Sequence, residues 1–238
     1  MFLDNVAMLA SDTARTRAYL QIMGKESIFP GVCIIYTDNP QKLEEDELKY
    51  KAGWSEGNYF DIDEPILYTI KKYEIPYQIV GEKDINSQIL QESITLCPAK
   101  YMIYSGYGGY ILKPHLFQLE KKYIHVHAGM LPQYRGSTTV YYSILQEKML
   151  GASAIFLTPG LDEGDIIYSQ QFSLPEDSVD VDYIYEPYAR AVVLVAALQK
   201  YFVDGDRSVV LQTETGAETY FIIHPVLKHL ALLHLEDK

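Results

Sequence analysis

Residues 123–128 read Tyr-Ile-His-Val-His-Ala. Side chains of a strand alternate between faces, so His125 and His127 share one face and Val126 points to the other. Two imidazoles side by side in an apolar run are costly to bury, because each needs a hydrogen-bond partner that a valine would not. Ligands of open α/β sheets sit at the carboxyl ends of strands. The Leu131-Pro132 and Arg135-Gly136 pairs that follow mark such an end. Further on, Asp162 lies in the loop Pro-Gly-Leu-Asp-Glu-Gly. A histidine beside a carboxylate can move a proton near neutral pH. The same three residues, His125, His127 and Asp162, also form a 2-His-1-carboxylate set of the kind that holds zinc or iron. A core histidine with one satisfied partner is the ordinary alternative at either position.

These residues need a sheet to position them, and the hydrophobic pattern supplies one. Asn5–Ala10 predicts a short buried strand. The stretch Ser11–Lys25 predicts a helix capped by Ser11 or Asp12 and ended at Gly24, and Gly31–Asp38 predicts a second strand. Strand, helix, strand is the unit of parallel sheet. Residues 38–60 are charged, then contain Gly53 and Trp54, and are expected to be irregular. A helix with Pro65 in its first turn, a strand Pro76–Val80, and an amphipathic helix burying Ile85, Ile89, Leu90 and Ile94 follow. A strand then runs into a glycine-rich loop. A short helix leads to the histidine strand, and Ser137 is expected to cap the next helix. Ala152–Thr158 and Asp165–Leu174 are expected to pair as strands. Asp180–Gly205 predicts one long helix, and Ser208–Lys238 a hairpin and a final helix. The expectation is a three-layer, mostly parallel, Rossmann-like α/β fold. Residues 1–178 would form the catalytic domain, and 179–238 a helix-and-hairpin extension packed on it.

Composition narrows the partners. The chain carries a net charge of −12, which repels phosphate backbones and anionic lipid and argues against nucleic-acid and membrane partners. Two cysteines, one in an apparent buried strand, point away from a disulfide framework and toward a reduced, cytoplasmic setting. The N-terminal stretch lacks a basic leader before an apolar run, and Ala191–Val203 is too short and interrupted to span a bilayer.

Over roughly residues 5–172, and strongly from Tyr101 to Ile167, the chain resembles the folate-dependent formyltransferases that act on glycinamide ribonucleotide, methionyl-tRNA and nucleotide sugars. Their pattern is Asn-x-His-x-Ser-x-Leu-Pro, then Arg-Gly, then Leu-Asp-x-Gly about thirty residues later. The resemblance places the catalytic histidine on His127 and the catalytic aspartate on Asp162; His125 stands where the family has asparagine. It implies 10-formyltetrahydrofolate as formyl donor and an amine as acceptor. It also implies that Tyr107, Gly108, Gly109, Ile111 and Leu112, together with Thr158, Gly160 and Leu161, hold the pterin. Charge building on the formyl oxygen needs hydrogen-bond donors. A protonated His127, its pKa raised by Asp162, and an N–H of His125 would serve.

The tRNA-directed members carry a further basic C-terminal domain for which this chain is too short, so a small-molecule amine is expected, foremost an amino sugar attached to a nucleotide. Because His125 replaces the asparagine, a metal-dependent hydrolase and a catalytically inactive binding protein stay open. Ser11–Thr13 at the first helix could hold a phosphate or simply cap it. Arg135-Gly136 is expected to shape its loop. His224, His229 and His234 are expected to decorate the last helix or face a homodimer partner.

Overall fold

The computed structural model describes residues 1–52, 59–175, 179–213 and 215–236. Trp54 and Gly53, expected in an irregular stretch, lie outside the described residues. Backbone proximity divides the chain into two compact units, Met1–His125 and Val126–Lys238.

In the first unit, β1 (Phe2–Ala10), β2 (Phe29–Tyr36), β3 (Tyr77–Val80), β4 (Tyr101–Ser105) and the start of β5 (Lys122–His127) pair in parallel in the order β3-β2-β1-β4-β5. Central strand β1 is fully buried from Val6 to Ala10, as a strand covered on both faces must be. Helix α1 (Ala14–Glu26) packs on β2 and on α3 (Ile66–Lys72). Its cap is Thr13, whose side chain accepts from Thr16 N, rather than Ser11 or Asp12. Asp12 instead pairs with Arg17 through both carboxylate oxygens at 2.9 Å, and Ser11 Oγ donates to Ser105 O. The helix also runs through Gly24 and stops at Ser27, which adopts a left-handed φ of 57°.

Part of the region expected to be irregular is a helix, α2 (Pro40–Lys49). Asn39 accepts from Lys42 N and Pro40 opens the first turn. Only Leu43 is buried, so no apolar stripe announces the helix. Helix α4 (Gln88–Leu96) buries Leu90 and Ile94, but Ile89 is 55% exposed and the buried Ile85 precedes the helix. The short helix before β5 is a single 3-10 turn, Leu116–Gln118.

The second unit holds the last residues of β5, then β6 (Arg135–Gly136), α5 (Thr139–Glu147) and an antiparallel pair, β7 (Met149–Phe156) and β8 (Ile166–Ser173). Leu131, Ile155 and Ile166 form a small apolar core with Leu157 against it. The expected cap of α5, Ser137, is displaced by Thr138, a left-handed residue whose side chain makes no capping bond. The long helix expected from residue 180 is helical from Val181 to Val203, with α6 (Glu186–Leu198) flanked by π-helical turns. It packs on β7 and β8.

The expected C-terminal hairpin is not formed among the described residues. Its backbone groups are taken by distant partners. Val210 and Ile166 exchange both N–H···O bonds, and Arg135 N and Ser137 N donate to Glu218 O and Tyr220 O. Strand β9 (Thr219–Tyr220) thus runs parallel to β6. Helix α7 (Pro225–Glu236) then packs on α5. Seven strands, mostly parallel and flanked by helices, make this an α/β fold.

Candidate active site

His127 and Asp162 come together inside the second unit. His127 is 5% exposed, and its Nε2 lies 2.6 Å from Tyr134 O. A carbonyl oxygen can only accept, so Nε2 carries the proton. Thr139 Oγ1 lies 3.3 Å from the same nitrogen while donating to Ala128 O. The other ring nitrogen, Nδ1, faces Asp162 Oδ2 at 3.3 Å. Burial pulls the His127 pKa below its ordinary value. Asp162 and the Tyr134 carbonyl push it up, Arg190 pushes it further down, and burial prevails. The upward push of Asp162 is present as the motif implies, and the larger effect of burial outweighs it. Nδ1 is the ring nitrogen turned toward the carboxylate.

Other groups keep Asp162 in place. Its Oδ2 accepts from Gly136 N at 3.0 Å, and its backbone oxygen accepts from Gln212 Nε2 at 2.8 Å. Asp162 has a φ of 53°, a left-handed conformation that a non-glycine residue adopts at a cost. Gly136 has a φ of 101°, and a Cβ there would sit 2.1 Å from Tyr220 O. The Arg-Gly pair is thus glycine where β9 crosses closest. Arg135 is buried and donates to Gln212, so it shapes the loop as expected. Gln212, in the supposed hairpin, had no sequence signal. Beside Asp162, Thr158 and Leu161 are exposed and Gly160 is half-buried.

His125 belongs to the first unit. Its ring centroid lies 6.2 Å from that of Tyr104, a residue whose hydroxyl donates to Tyr110 O. Tyr107 meets Tyr36 edge-on at 5.8 Å, with Lys83 Nζ 5.2 Å from its ring centroid. Gly108 and Gly109 are exposed, and Gly109 takes a φ of 82°. Leu112 is buried at 5% whereas Ile111 is 74% exposed, so the two do not share an environment. A Cβ at Gly106 would sit 2.1 Å from the Tyr36 hydroxyl and 2.6 Å from Tyr104, so only glycine fits between these rings. Tyr36 and Tyr104 had been indistinguishable from the many other tyrosines of the chain.

Among the described residues, no three His, Cys, Asp or Glu side chains gather as a metal ion would need them. No described helix is long and apolar enough to cross a membrane.

Comparison with known proteins identifies relatives of this chain. A methionyl-tRNA formyltransferase of Finegoldia magna is 29% identical over 114 residues, covering 48% of this chain and 37% of that enzyme. The chain spans little more than a third of the length of such curated relatives. Among solved structures, WlaRD, a sugar 3N-formyl transferase with dTDP and 5-N-formyl-THF, superposes with a TM-score of 0.56 at 17% identity, covering 91% of this chain and 69% of that one. The N-formyltransferase from Helicobacter canadensis, in complex with folinic acid and dTDP-3-aminofucose, gives 0.57 at 13% identity, covering 97% and 80%. The family model described as formyl transferase matches residues 60–186, more than half of the sequence, and the chain belongs to the formyl transferase family.

Proposed function

We propose that this protein transfers the formyl group of 10-formyltetrahydrofolate to the amine of a small molecule, with a nucleotide-linked amino sugar as acceptor. The observation that carries the proposal is the buried His127–Asp162 pair, Nδ1 to Oδ2 at 3.3 Å, with Nε2–H committed to Tyr134 O. An amine attacking a formyl carbon must lose a proton, and the departing folate nitrogen must gain one. A neutral imidazole beside a carboxylate is one proton short of a charge-assisted hydrogen bond. It can take the amine's proton, hold it as an imidazolium–carboxylate pair, and return it to the leaving nitrogen.

In the same proposal His125, two residues earlier on β5, supplies an N–H to the formyl oxygen as negative charge builds there, in place of the family's asparagine. The folate assignments, Tyr107, Gly108, Gly109, Ile111 and Leu112 together with Thr158, Gly160 and Leu161, rest on the resemblance and are tested loop by loop. Substitutions in either loop should weaken folate binding without changing the other unit's folding.

Support for a sugar acceptor comes from the ligands of the two sugar-directed structural neighbours and from the chain's net charge of −12, which disfavours a polyanionic partner. A second reading has its own observation: the curated relatives are methionyl-tRNA formyltransferases, so the acceptor could be methionyl-tRNA. Offering purified protein the folate donor with nucleotide-linked amino sugars, glycinamide ribonucleotide, free amino acids and methionyl-tRNA separates the two. Folate-dependent formylation of a sugar amine supports the first reading, and formylation of methionyl-tRNA alone replaces it with the second.

A further inference from the structure

Gln212 occupies a position whose chemistry no simple structural role explains. Its amide uses its full hydrogen-bonding capacity on the walls of the site. Oε1 accepts from Arg135 Nε at 3.3 Å and Nη2 at 3.1 Å, while Nε2 donates to Asp162 O at 2.8 Å and Gly164 O at 2.6 Å. Arginine only donates and carbonyls only accept, so the amide has one allowed orientation. The residue is held there from both sides. Val210, two residues before it, exchanges both backbone bonds with Ile166, the first residue of β8. Glu218 and Tyr220, after it, accept from the backbone flanking Gly136.

Two of these partners lead to the acid–base pair. Arg135 precedes the glycine whose N–H holds Asp162 Oδ2. Asp162 itself is in a left-handed conformation, and its own carbonyl is the group that Gln212 grips. A residue in a strained backbone conformation stays put only if its surroundings over-determine it. We infer that Gln212 is a positioning residue for the acid–base pair: its side chain spans from Arg135 to the backbone of the Asp162 loop and so holds the carboxylate against His127.

The inference rests on the proposed formyl transfer for its kinetic readout but not for its structural one. His127 faces Asp162, Glu186 and Arg190. Asp162 and Glu186 push its titration up and Arg190 pushes it down, so loosening Asp162 should move the His127 midpoint lower. The test compares Gln212→Ala and Gln212→Glu with the parent by NMR titration of the histidine rings, assigning His127 by its loss in His127→Gln, alongside thermal unfolding and formyl transfer. Gln212→Glu is the discriminating variant: its carboxylate keeps both Arg135 bonds and turns an acceptor toward two carbonyls, so it releases the Asp162 loop alone.

Gln212→Ala is expected to lower the His127 midpoint by a measurable fraction of a pH unit, whereas in Gln212→Glu the added carboxylate itself pushes the midpoint up, so that variant is read by turnover. Turnover should fall about 100-fold, the scale of a small misplacement of a reacting group. A His127 midpoint unchanged in Gln212→Ala overturns the inference, even if stability drops. So does a Gln212→Glu variant that behaves as the parent, because Gln212 would then serve Arg135 only. If the parent formylates no amine, the proposed activity fails, and the His127 titration still decides the role of Gln212. If Gln212→Ala does not fold, Gln212→Glu alone carries the test.

Discussion

Asp162 Oδ2 sits 3.3 Å from His127 Nδ1 while the opposite ring nitrogen donates to Tyr134 O at 2.6 Å. The direction of that second bond sets the chemistry of the first. With one ring proton committed to a carbonyl, a proton taken up at Nδ1 would be shared with the carboxylate in a charge-assisted bond.

The pair should therefore be indispensable to turnover and dispensable to folding. Asparagine tolerates the left-handed conformation of residue 162 and retains an oxygen for Gly136 N. Asp162→Asn should unfold at nearly the parental temperature yet lose about 100-fold or more in turnover, as removal of a general acid–base group does. His127→Ala should lose at least as much. Retention of parental turnover in Asp162→Asn would remove the carboxylate from the mechanism.

His125 tests the departure from the family pattern. His125→Ala should cost about 100- to 1000-fold in turnover, the loss typical of one oxyanion donor, with folate affinity by calorimetry little changed. His125→Asn should recover part of that loss by restoring a neutral N–H donor. If the asparagine variant is as inactive as the alanine variant, the donor role is refuted.

The depressed pKa of His127 predicts a pH dependence of stability. The unfolded ring takes up a proton near its ordinary value of 6.5, whereas the folded ring resists until lower pH. Between those points the unfolded state binds more protons, so stability falls as pH drops below 6.5 and is fully present above it. Thermal unfolding across that range should show this decline, and His127→Gln should flatten it. An unchanged slope in the variant would place the effect elsewhere.

Gly136 combines a φ of 101° with a Cβ position 2.1 Å from Tyr220 O. Gly136→Ala should cost about 1–3 kcal/mol through strain and overpacking. It should also separate β6 from β9, so that turnover falls with stability. Denaturant titration measures the first effect, and full parental stability would contradict the assigned approach.

The strands were legible because both-face burial writes continuous apolar runs such as Val6–Ala10 and Cys33–Tyr36. Helix α2 was not, because it buries only Leu43. The supposed hairpin failed for a different reason: Val210 and Tyr220 satisfy their backbones with residues far away in sequence, and no local pattern records such pairings. At the site, His127 and Asp162 were visible through residue type and motif spacing. Gln212 was not, since a lone glutamine among polar residues carries no periodicity and its role exists only once the chain folds back. The sign of the His127 shift was hidden as well, because burial depends on packing that the motif does not encode.

The most direct test of the central claim is mass spectrometry of purified protein incubated with 10-formyltetrahydrofolate and a panel of amines. The predicted result is a small-molecule product heavier by one formyl group, formed on a nucleotide-linked amino sugar, dependent on the folate donor and abolished in His127→Ala. No formylated product from any amine in the panel would contradict the account.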